Sequence, residues 1–181
     1  MKIISLKEFI KNGEFDSIKI GSTKSDVIEL LGKSDDIADC GETQIIRYGW
    51  YEFFYWTESE KIFGIQNDHL QADCTNHADM IDFKNRKWKL ENCFLEIGKN
   101  QTFKNIKDFL NFEKIEFNVQ KPYINFDFNI IKCVKSDVTF DFADKYRVVE
   151  LKENGKFKRW KEITVENEDD YVLNGIRLFD I

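Results

Sequence analysis

Apolar residues recur at helical spacing near the start of the chain. Ser5 and Glu8 have the spacing of a capping box, and Gly13 stands where a glycine commonly ends a helix. The apolar stripe between these signals consists of Leu6, Phe9 and Ile10. This pattern predicts a short helix that buries the stripe.

A second helix is predicted between Thr23 and Leu31. Thr23 and Asp26 repeat the capping-box spacing, and Gly32 follows the last apolar position. The apolar positions of this helix are Val27, Leu30 and Leu31. Both helices are too short to be stable alone, so we expect them to pack against another element.

Three strand-like segments follow, and short polar or glycine-containing breaks separate them. They run from Thr43 to Tyr48, from Tyr51 to Thr57 and from Lys61 to Gln66. Their spacing predicts an antiparallel meander. The middle segment contains the run Tyr51-Glu52-Phe53-Phe54-Tyr55-Trp56, which is too aromatic for a simple alternation. We therefore expect both faces of this strand to be covered.

The second half of the chain partly echoes the first. The residue types of Leu6 to Ile10 return in the same order at Ile106 to Leu110. Beyond this helix, apolar and polar positions alternate, which favours strands. The alternating apolar positions are Ile115, Phe117 and Val119, then Phe126, Phe128 and Ile130, then Val138, Phe140 and Phe142. Further strands are predicted at Tyr146 to Leu151, Phe157 to Val165 and Tyr171 to Phe179, with turns at Asn154-Gly155 and Asn174-Gly175.

Together these elements predict an α+β protein in which short helices pack on antiparallel β-meanders. We expect two related halves, residues 1–80 and residues 81–181, with a boundary between Asp73 and Lys87. The alternative is that both halves share a single core.

Composition and charge narrow the function classes. The chain has 181 residues, with 27 Lys and Arg against 33 Asp and Glu, which gives a net charge of −6. A negative charge argues against non-specific nucleic-acid binding, and no apolar stretch is long enough to span a bilayer. Charges interrupt the first apolar positions, unlike those of a signal peptide. We therefore expect a cytoplasmic protein that binds neither nucleic acid nor membranes, with its oligomeric state left open.

Cysteine and histidine offer one candidate metal site. The cysteines, which lie far apart, predict reduced thiols and are Cys40, Cys74, Cys93 and Cys133. The segment from Asp68 to Asp79 holds both histidines of the chain. His69, Cys74 and His77 have zinc-binding side chains, although their spacing matches no closed zinc module. We expect no bound metal or other cofactor, and a metal-dependent enzyme centred on these three residues is the alternative.

Acidic residues gather in three clusters close to aromatic side chains. The acidic residues are Asp35, Asp36, Asp39 and Glu42, then Glu58 and Glu60, then Glu166, Glu168, Asp169 and Asp170. The neighbouring aromatic residues are Tyr51, Tyr55, Trp56, Trp160 and Tyr171. Carboxylates around aromatic anchors suit a surface that docks a basic protein, whereas solvated loops are the simpler alternative. No catalytic residue is singled out, because the sequence has no nucleophile elbow and no glycine-rich phosphate loop.

Two segments of the first half resemble a known group of proteins. Ile20 to Asp36 begins Ile-Gly-Ser-Thr and continues into a helix that ends Leu-Leu-Gly, and Tyr48 to Tyr55 reads Tyr-Gly-Trp-Tyr-Glu-Phe-Phe-Tyr. Together they resemble the small bacterial immunity proteins that are encoded beside polymorphic toxins, including those of contact-dependent growth inhibition.

This resemblance implies a protein without enzymatic activity that binds a cognate toxin domain in the cytoplasm and covers or distorts its active site. Toxin domains of this class are often nucleases, whose basic surfaces an acidic protein complements. We therefore predict an immunity protein that neutralises its toxin by direct binding. An adaptor that binds another basic protein is a further alternative.

Overall fold

The computed structural model describes residues 1–72, 76–123, 128–143 and 145–180. The α-helices are α1 (Leu6–Asn12), α2 (Lys24–Leu31), α3 (His77–Ile81) and α4 (Phe103–Phe112), and Glu168–Asp170 forms a 3-10 helix. The strands are β1 (Lys2–Ser5), β2 (Asp36–Asp39), β3 (Thr43–Tyr48), β4 (Tyr51–Trp56), β5 (Ile62–Asn67), β6 (Trp88–Glu91), β7 (Phe117–Gln120), β8 (Ile130–Cys133), β9 (Thr139–Phe142), β10 (Tyr146–Glu153), β11 (Lys156–Thr164) and β12 (Leu173–Phe179). None of the helices in these ranges is long and apolar enough to cross a membrane.

Eight of these strands form one antiparallel sheet in the order β2-β3-β4-β5-β12-β9-β8-β7. Its two central strands, β5 and β12, place Asn67 opposite Ile176 and Gly64 opposite Phe179. β1 and β6 form a separate parallel pair, and β10 and β11 form a separate hairpin. The predicted α+β fold, with short helices and antiparallel meanders, is therefore confirmed.

The order of the strands is the same on both sides of the centre of the sheet. Helix α2 precedes the meander β2-β3-β4-β5, and helix α4 precedes the meander β7-β8-β9-β12, into which the β10–β11 hairpin is inserted. The topological counterpart of α4 is thus α2, whereas the sequence echo pointed to α1. The division of the chain into two related halves stays a prediction.

One cluster of buried apolar side chains lies between the helices and one face of the large sheet. Phe15, which follows α1, makes edge contacts with Phe53 of β4 at 5.4 Å and with Trp88 of β6 at 5.8 Å between ring centroids. Ile106 of α4 and Phe140 of β9 belong to the same cluster. Residues on both sides of the predicted boundary therefore contribute to one core.

The predictions of a capping box at Ser5 and of a turn at Asn174-Gly175 are wrong. Ser5 ends β1, and its side chain makes no capping hydrogen bond, so α1 lacks the predicted capping box. Gly175 lies inside β12 at a register shift, where a Cβ would lie 2.7 Å from Oδ1 of Asp141. The pair Asn174-Gly175 therefore permits a close approach of two strands instead of forming a turn.

Other local predictions agree with the structure. Asn154 and Gly155 join β10 to β11 with φ values of 52° and 76°, as a type I′ hairpin requires. Strands β1, β2 and β6 and helix α3 are short additions that the hydrophobic pattern did not indicate. The predicted alternation at Phe126 lies outside the described residues, and Phe128 precedes β8 instead of belonging to it.

Candidate protein-binding surface

The two faces of β4 have different environments. Tyr51, Phe53 and Tyr55 alternate onto the core face and are all buried, whereas Glu52, Phe54 and Trp56 point to the second face of the sheet. The prediction that both faces of this strand are covered therefore holds for the core face only, because Trp56 is 41% exposed.

Four aromatic rings form a patch on the second face. Trp56 stacks on Phe63 with 4.3 Å between ring centroids, and Phe54 lies 5.2 Å from Phe179. Gly64 makes room for this patch, because a Cβ there would lie 2.2 Å from a ring carbon of Phe179. The patch leaves part of Trp56 accessible at one end of the sheet.

Polar side chains cross the same face beside the aromatic patch. Gln66 donates to Glu52 at 2.8 Å, and Arg177 makes a bidentate contact with Asp141 at 2.7 and 3.2 Å. Asn174 also donates to Asp141, at 2.8 Å. These groups satisfy one another within the sheet, so this strip is explained by internal hydrogen bonding.

Part of the first acidic cluster meets the second cluster at one end of the β2 side of the sheet. The turn after β2 and the turn after β4 are joined because Thr57 donates its N–H to the carbonyl of Glu42 at 2.9 Å and its hydroxyl to the carbonyl of Gly41 at 2.7 Å. Asp35 and Asp36 lie at the other end of β2, beside Gly49 and Arg47. We call the whole β2 side of the sheet the acidic edge, and its carboxylates belong to Asp35, Asp36, Asp39, Glu42, Glu58 and Glu60.

The carboxylates of the acidic edge differ in how they are partnered. Asp35 accepts from the Gly49 N–H at 2.7 Å, Asp39 accepts from the Gly41 N–H at 2.9 Å, and Asp36 pairs with Arg47 at 3.2 Å. The remaining three make no side-chain hydrogen bond or ion pair within the described part of the chain, and they are Glu42, Glu58 and Glu60.

Charge is concentrated in this region. Residues 35–60 contain seven acidic side chains and one basic side chain, a net charge of −6. Ile37 is 46% exposed and Trp56 is 41% exposed beside these carboxylates. The region therefore combines an anionic surface with accessible apolar side chains, which is the composition of a surface that binds a basic protein.

The third acidic cluster lies elsewhere, and two of its four carboxylates are paired with lysine. Lys107 of α4 pairs with Asp169 at 2.6 Å, Asn129 donates to Glu168 at 2.7 Å, and Lys145 pairs with Glu166 at 3.0 Å. The hydrogen bond and charge of Glu166 raise the pKa of Lys145. Because this cluster, with Asp170, precedes the central strand β12, the structure does not bring it together with the acidic edge.

The tyrosines predicted to anchor a partner lie in or against the core. Tyr51 is 3% exposed and donates its hydroxyl to the carbonyl of Ile81 at 2.9 Å, and Tyr55 is 1% exposed and donates to Gln44. Burial raises the pKa of Tyr51. Tyr171 is half-buried against the core. The rings of Tyr51 and Tyr55 are thus not displayed on the surface in this fold.

His77 has a structural environment. It is 4% exposed, its Nδ1 accepts from the Gly98 N–H at 2.9 Å, and its Nε2 lies 3.2 Å from the carbonyl of Leu70. This network assigns the proton to Nε2, so both ring nitrogens are engaged and no lone pair is left to bind a metal.

The other two candidate ligands give no support for a metal site. His69 lies on the surface, 3.0 Å from Asp68 and with its ring 4.4 Å from that of Trp50, and Cys74 lies outside the described residues. Within the described ranges, no group of three His, Cys, Asp or Glu side chains is arranged to hold a metal ion. The enzyme hypothesis stays an untested alternative.

The sequence pattern indicated Trp56 and Trp160 as surface aromatic residues but not Phe54 or Phe157. Phe54 and Trp56 alternate with the core positions of β4, and because the core positions are aromatic too, periodicity alone did not separate the two faces. On the β10–β11 hairpin, Phe157 is 54% exposed and Trp160 is 60% exposed. Trp160 therefore lies on the hairpin and not beside the acidic edge.

Comparisons with known proteins add no assignment. No protein-family model matches the chain, and neither the curated proteins nor the solved structures contain a match.

Proposed function

We propose that this protein is an immunity protein that binds a basic toxin domain through the acidic edge. In this role it covers the active or nucleic-acid-binding surface of the toxin and carries out no reaction of its own. The observation that supports the proposal is the concentration of negative charge in residues 35–60, with a net charge of −6 next to exposed Trp56.

The electrostatics of this edge suit fast and specific capture of a cation-rich protein. Glu42, Glu58 and Glu60 have no internal side-chain partner in the described residues, so their charge is directed to solvent. A surface of one sign steers an oppositely charged protein and raises its association rate, most strongly at low salt. The same surface competes with the phosphates that a nuclease must bind.

The experiment uses a triple charge reversal, Glu42→Lys with Glu58→Lys and Glu60→Lys. Affinity for the toxin domain encoded beside this gene is measured by calorimetry, and protection is measured by growth of cells that express the toxin. We expect the association rate and the affinity to fall at least about tenfold, because like charges then face each other. Growth protection falls with them.

The matched control reverses three exposed carboxylates elsewhere, Glu96→Lys with Asp108→Lys and Glu116→Lys, so that the net charge changes by the same amount. We expect this control to retain binding and protection. Equal loss in both variants would mean that only net charge matters and would reject the acidic edge as the docking site. Binding of the toxin without any protection would identify an adaptor instead of an immunity protein.

A further inference from the structure

The β10–β11 hairpin is a second surface with features of a contact site. Its two strands pair with each other and with neither of the two other sheets. Phe157 and Trp160 are 54% and 60% exposed, and their ring centroids lie 5.3 Å apart. A two-stranded hairpin is marginally stable by itself, and exposed aromatic pairs of this kind mark contact surfaces.

No strand among the described residues pairs with the outer edge of β11. Val165 donates its N–H to the carbonyl of Lys145, which fixes the alternation of hydrogen-bonded pairs along the hairpin. In this register, the N–H and C=O groups of Trp160, Glu162 and Thr164 point away from β10. β11 is nine residues long and exposed along almost its whole length, so this edge is able to accept another strand.

The charge of the hairpin is opposite to that of the molecule as a whole. Residues 145–165 contain seven basic and three acidic side chains, a net charge of +4, whereas the chain has a net charge of −6. In the antiparallel register centred on Trp160, pairing of β11 with a second β11 would place Arg159 opposite Lys161, and like charges in opposite positions destabilise a strand pair. Charge therefore selects an acidic strand as the occupant of this edge.

Strand β2 is an acidic strand at the edge of the large sheet, and no strand in the described part of the chain pairs with its outer side. Cys40 donates its N–H to the carbonyl of Thr43, so the backbone groups of Ile37 and Asp39 point away from β3. All four residues of β2 are exposed. β2 and β11 belong to different sheets and do not pair with each other in this structure, so a contact between these two edges is made with a second copy of the chain.

We propose that the β10–β11 hairpin of one copy adds to the β2 edge of a second copy, which gives a head-to-tail assembly. Backbone hydrogen bonds between β11 and β2 supply the pairing, and the +4 and −6 charges of the two regions supply the orientation. The contact is heterologous, so it closes into a ring or continues as a chain. It does not depend on the toxin, but it occupies the acidic edge to which we assigned toxin binding.

The test measures the sedimentation of the full chain between about 10 μM and about 1 mM, a range that covers weak associations. We expect the mean mass to rise with concentration and this rise to be suppressed by 0.5 M salt, about half a molar being enough to screen surface charges. Two variants are compared with the wild type, Arg159→Glu with Lys161→Glu on the hairpin, and Asp39→Lys with Glu42→Lys at the β2 edge. Each variant alone should associate at least about tenfold more weakly.

An equimolar mixture of the two variants restores complementary charges at both edges, so we expect it to associate like the wild type. This rescue also shows that both variants are folded. A wild-type chain that stays monomeric over the whole range, or a mixture that does not associate, would overturn the proposal. If the wild-type chain stays monomeric and its hairpin instead binds anionic vesicles or an oligothymidylate strand, the hairpin is a site for a membrane or a nucleic acid and the proposal fails.

A proline substitution separates strand pairing from simple charge attraction. Ile37→Pro removes an N–H that points away from β3, so the sheet keeps its own hydrogen bonds while the added strand loses one and meets the proline ring. The matched control is Val119→Pro, at an outward position of the opposite edge strand β7. We expect Ile37→Pro to associate at least about tenfold more weakly than the wild type, a loss similar to that caused by charge reversal. Val119→Pro should associate like the wild type. Unchanged association of Ile37→Pro would reject strand addition.

Discussion

At the scale of single residues, burial decides the role of the aromatic hydroxyls. Tyr48 and Tyr51 are 0% and 3% exposed and donate to the backbone carbonyls of Gly32 and Ile81 at 2.6 and 2.9 Å. A buried tyrosine needs such an acceptor because an unpaired hydroxyl in the core is costly. The sequence indicated Tyr51 as a partner-binding residue because a tyrosine near acidic residues gives the same local sequence pattern whether its ring is exposed or buried.

The ionisation of Tyr48 predicts a loss of stability at high pH. Burial raises the pKa of Tyr48 to about 12, from an ordinary value of 10.0. The unfolded chain therefore loses this proton first, so the contribution of Tyr48 to the free energy of unfolding is complete below pH 10.0 and is lost as the pH rises towards about 12. Urea unfolding of wild type and Tyr48→Phe from neutral to alkaline pH measures this.

The variant should lose about 1 kcal/mol at neutral pH, because the Gly32 carbonyl loses its donor. Above pH 10.0 its unfolding free energy should fall less steeply than that of the wild type. Some dependence remains, since burial also raises the pKa values of Tyr51 and Cys133. Parallel pH profiles of wild type and variant would contradict the assignment.

At the scale of elements, three helices have capping-box sequences, but only two use them. The side chains of Thr23 and Thr102 accept from the N–H groups of Asp26 and Asn105, whose side chains accept in return from the backbone N–H groups of the two threonines. The Asp26 carboxylate accepts from both the N–H and the hydroxyl of Thr23, at 2.7 and 2.8 Å, and these two hydrogen bonds lower the pKa of Asp26. Ser5 has the same spacing to Glu8, yet Glu8 accepts from Asn12 instead.

Alanine substitution of the capping residues tests this difference. Thr23→Ala and Thr102→Ala should each lower the free energy of unfolding by about 1 kcal/mol, because an N–H of the first helical turn loses its acceptor. Ser5→Ala is the matched control, and we expect a change within about 0.5 kcal/mol because no capping bond is lost. Urea unfolding monitored by circular dichroism measures all three, and an equal effect of Ser5→Ala would contradict the cap assignment.

At the scale of the whole molecule, the pairing of β5 with β12 joins the two meanders. Ile65 of β5 and Leu178 of β12 lie opposite each other and contribute to the same buried cluster. Trp88 follows the predicted boundary between the halves, but it packs against Phe15 and Tyr48 of the first half. A structure that shares side chains in this way should lose all its core contacts together.

We therefore expect one cooperative unfolding transition. The urea midpoints from tryptophan fluorescence and from far-ultraviolet circular dichroism should coincide. Ile176→Ala in the central strand β12 should lower the free energy of unfolding by about 2 to 5 kcal/mol and shift both midpoints together, since Ile176 is 3% exposed. Two separate transitions, or a shift of only one probe, would support the alternative of two independent domains.

The candidate site was only partly predictable from the sequence. The acidic residues between Asp35 and Glu60 are close in the chain, and one meander carries them all, with the turns of Glu42 and Glu58 joined at one end. The cluster from Glu166 to Asp170 has the same composition, but Lys107 and Lys145 neutralise two of its members. Both lysines lie more than 20 positions before the carboxylates that they pair with, so the local sequence did not reveal these ion pairs.

Residues close together in the chain were enough to predict the capping box at Thr23 and the turn at Asn154-Gly155, and composition alone sets the net charge. The pairing of β5 with β12, the covered face of β4 and the isolation of the hairpin emerged only from the folded arrangement. The two groups of features differ in the separation along the chain of the residues that interact. Caps and turns are formed by hydrogen bonds within a few residues, whereas strand order and burial depend on which distant apolar faces can be removed from water together.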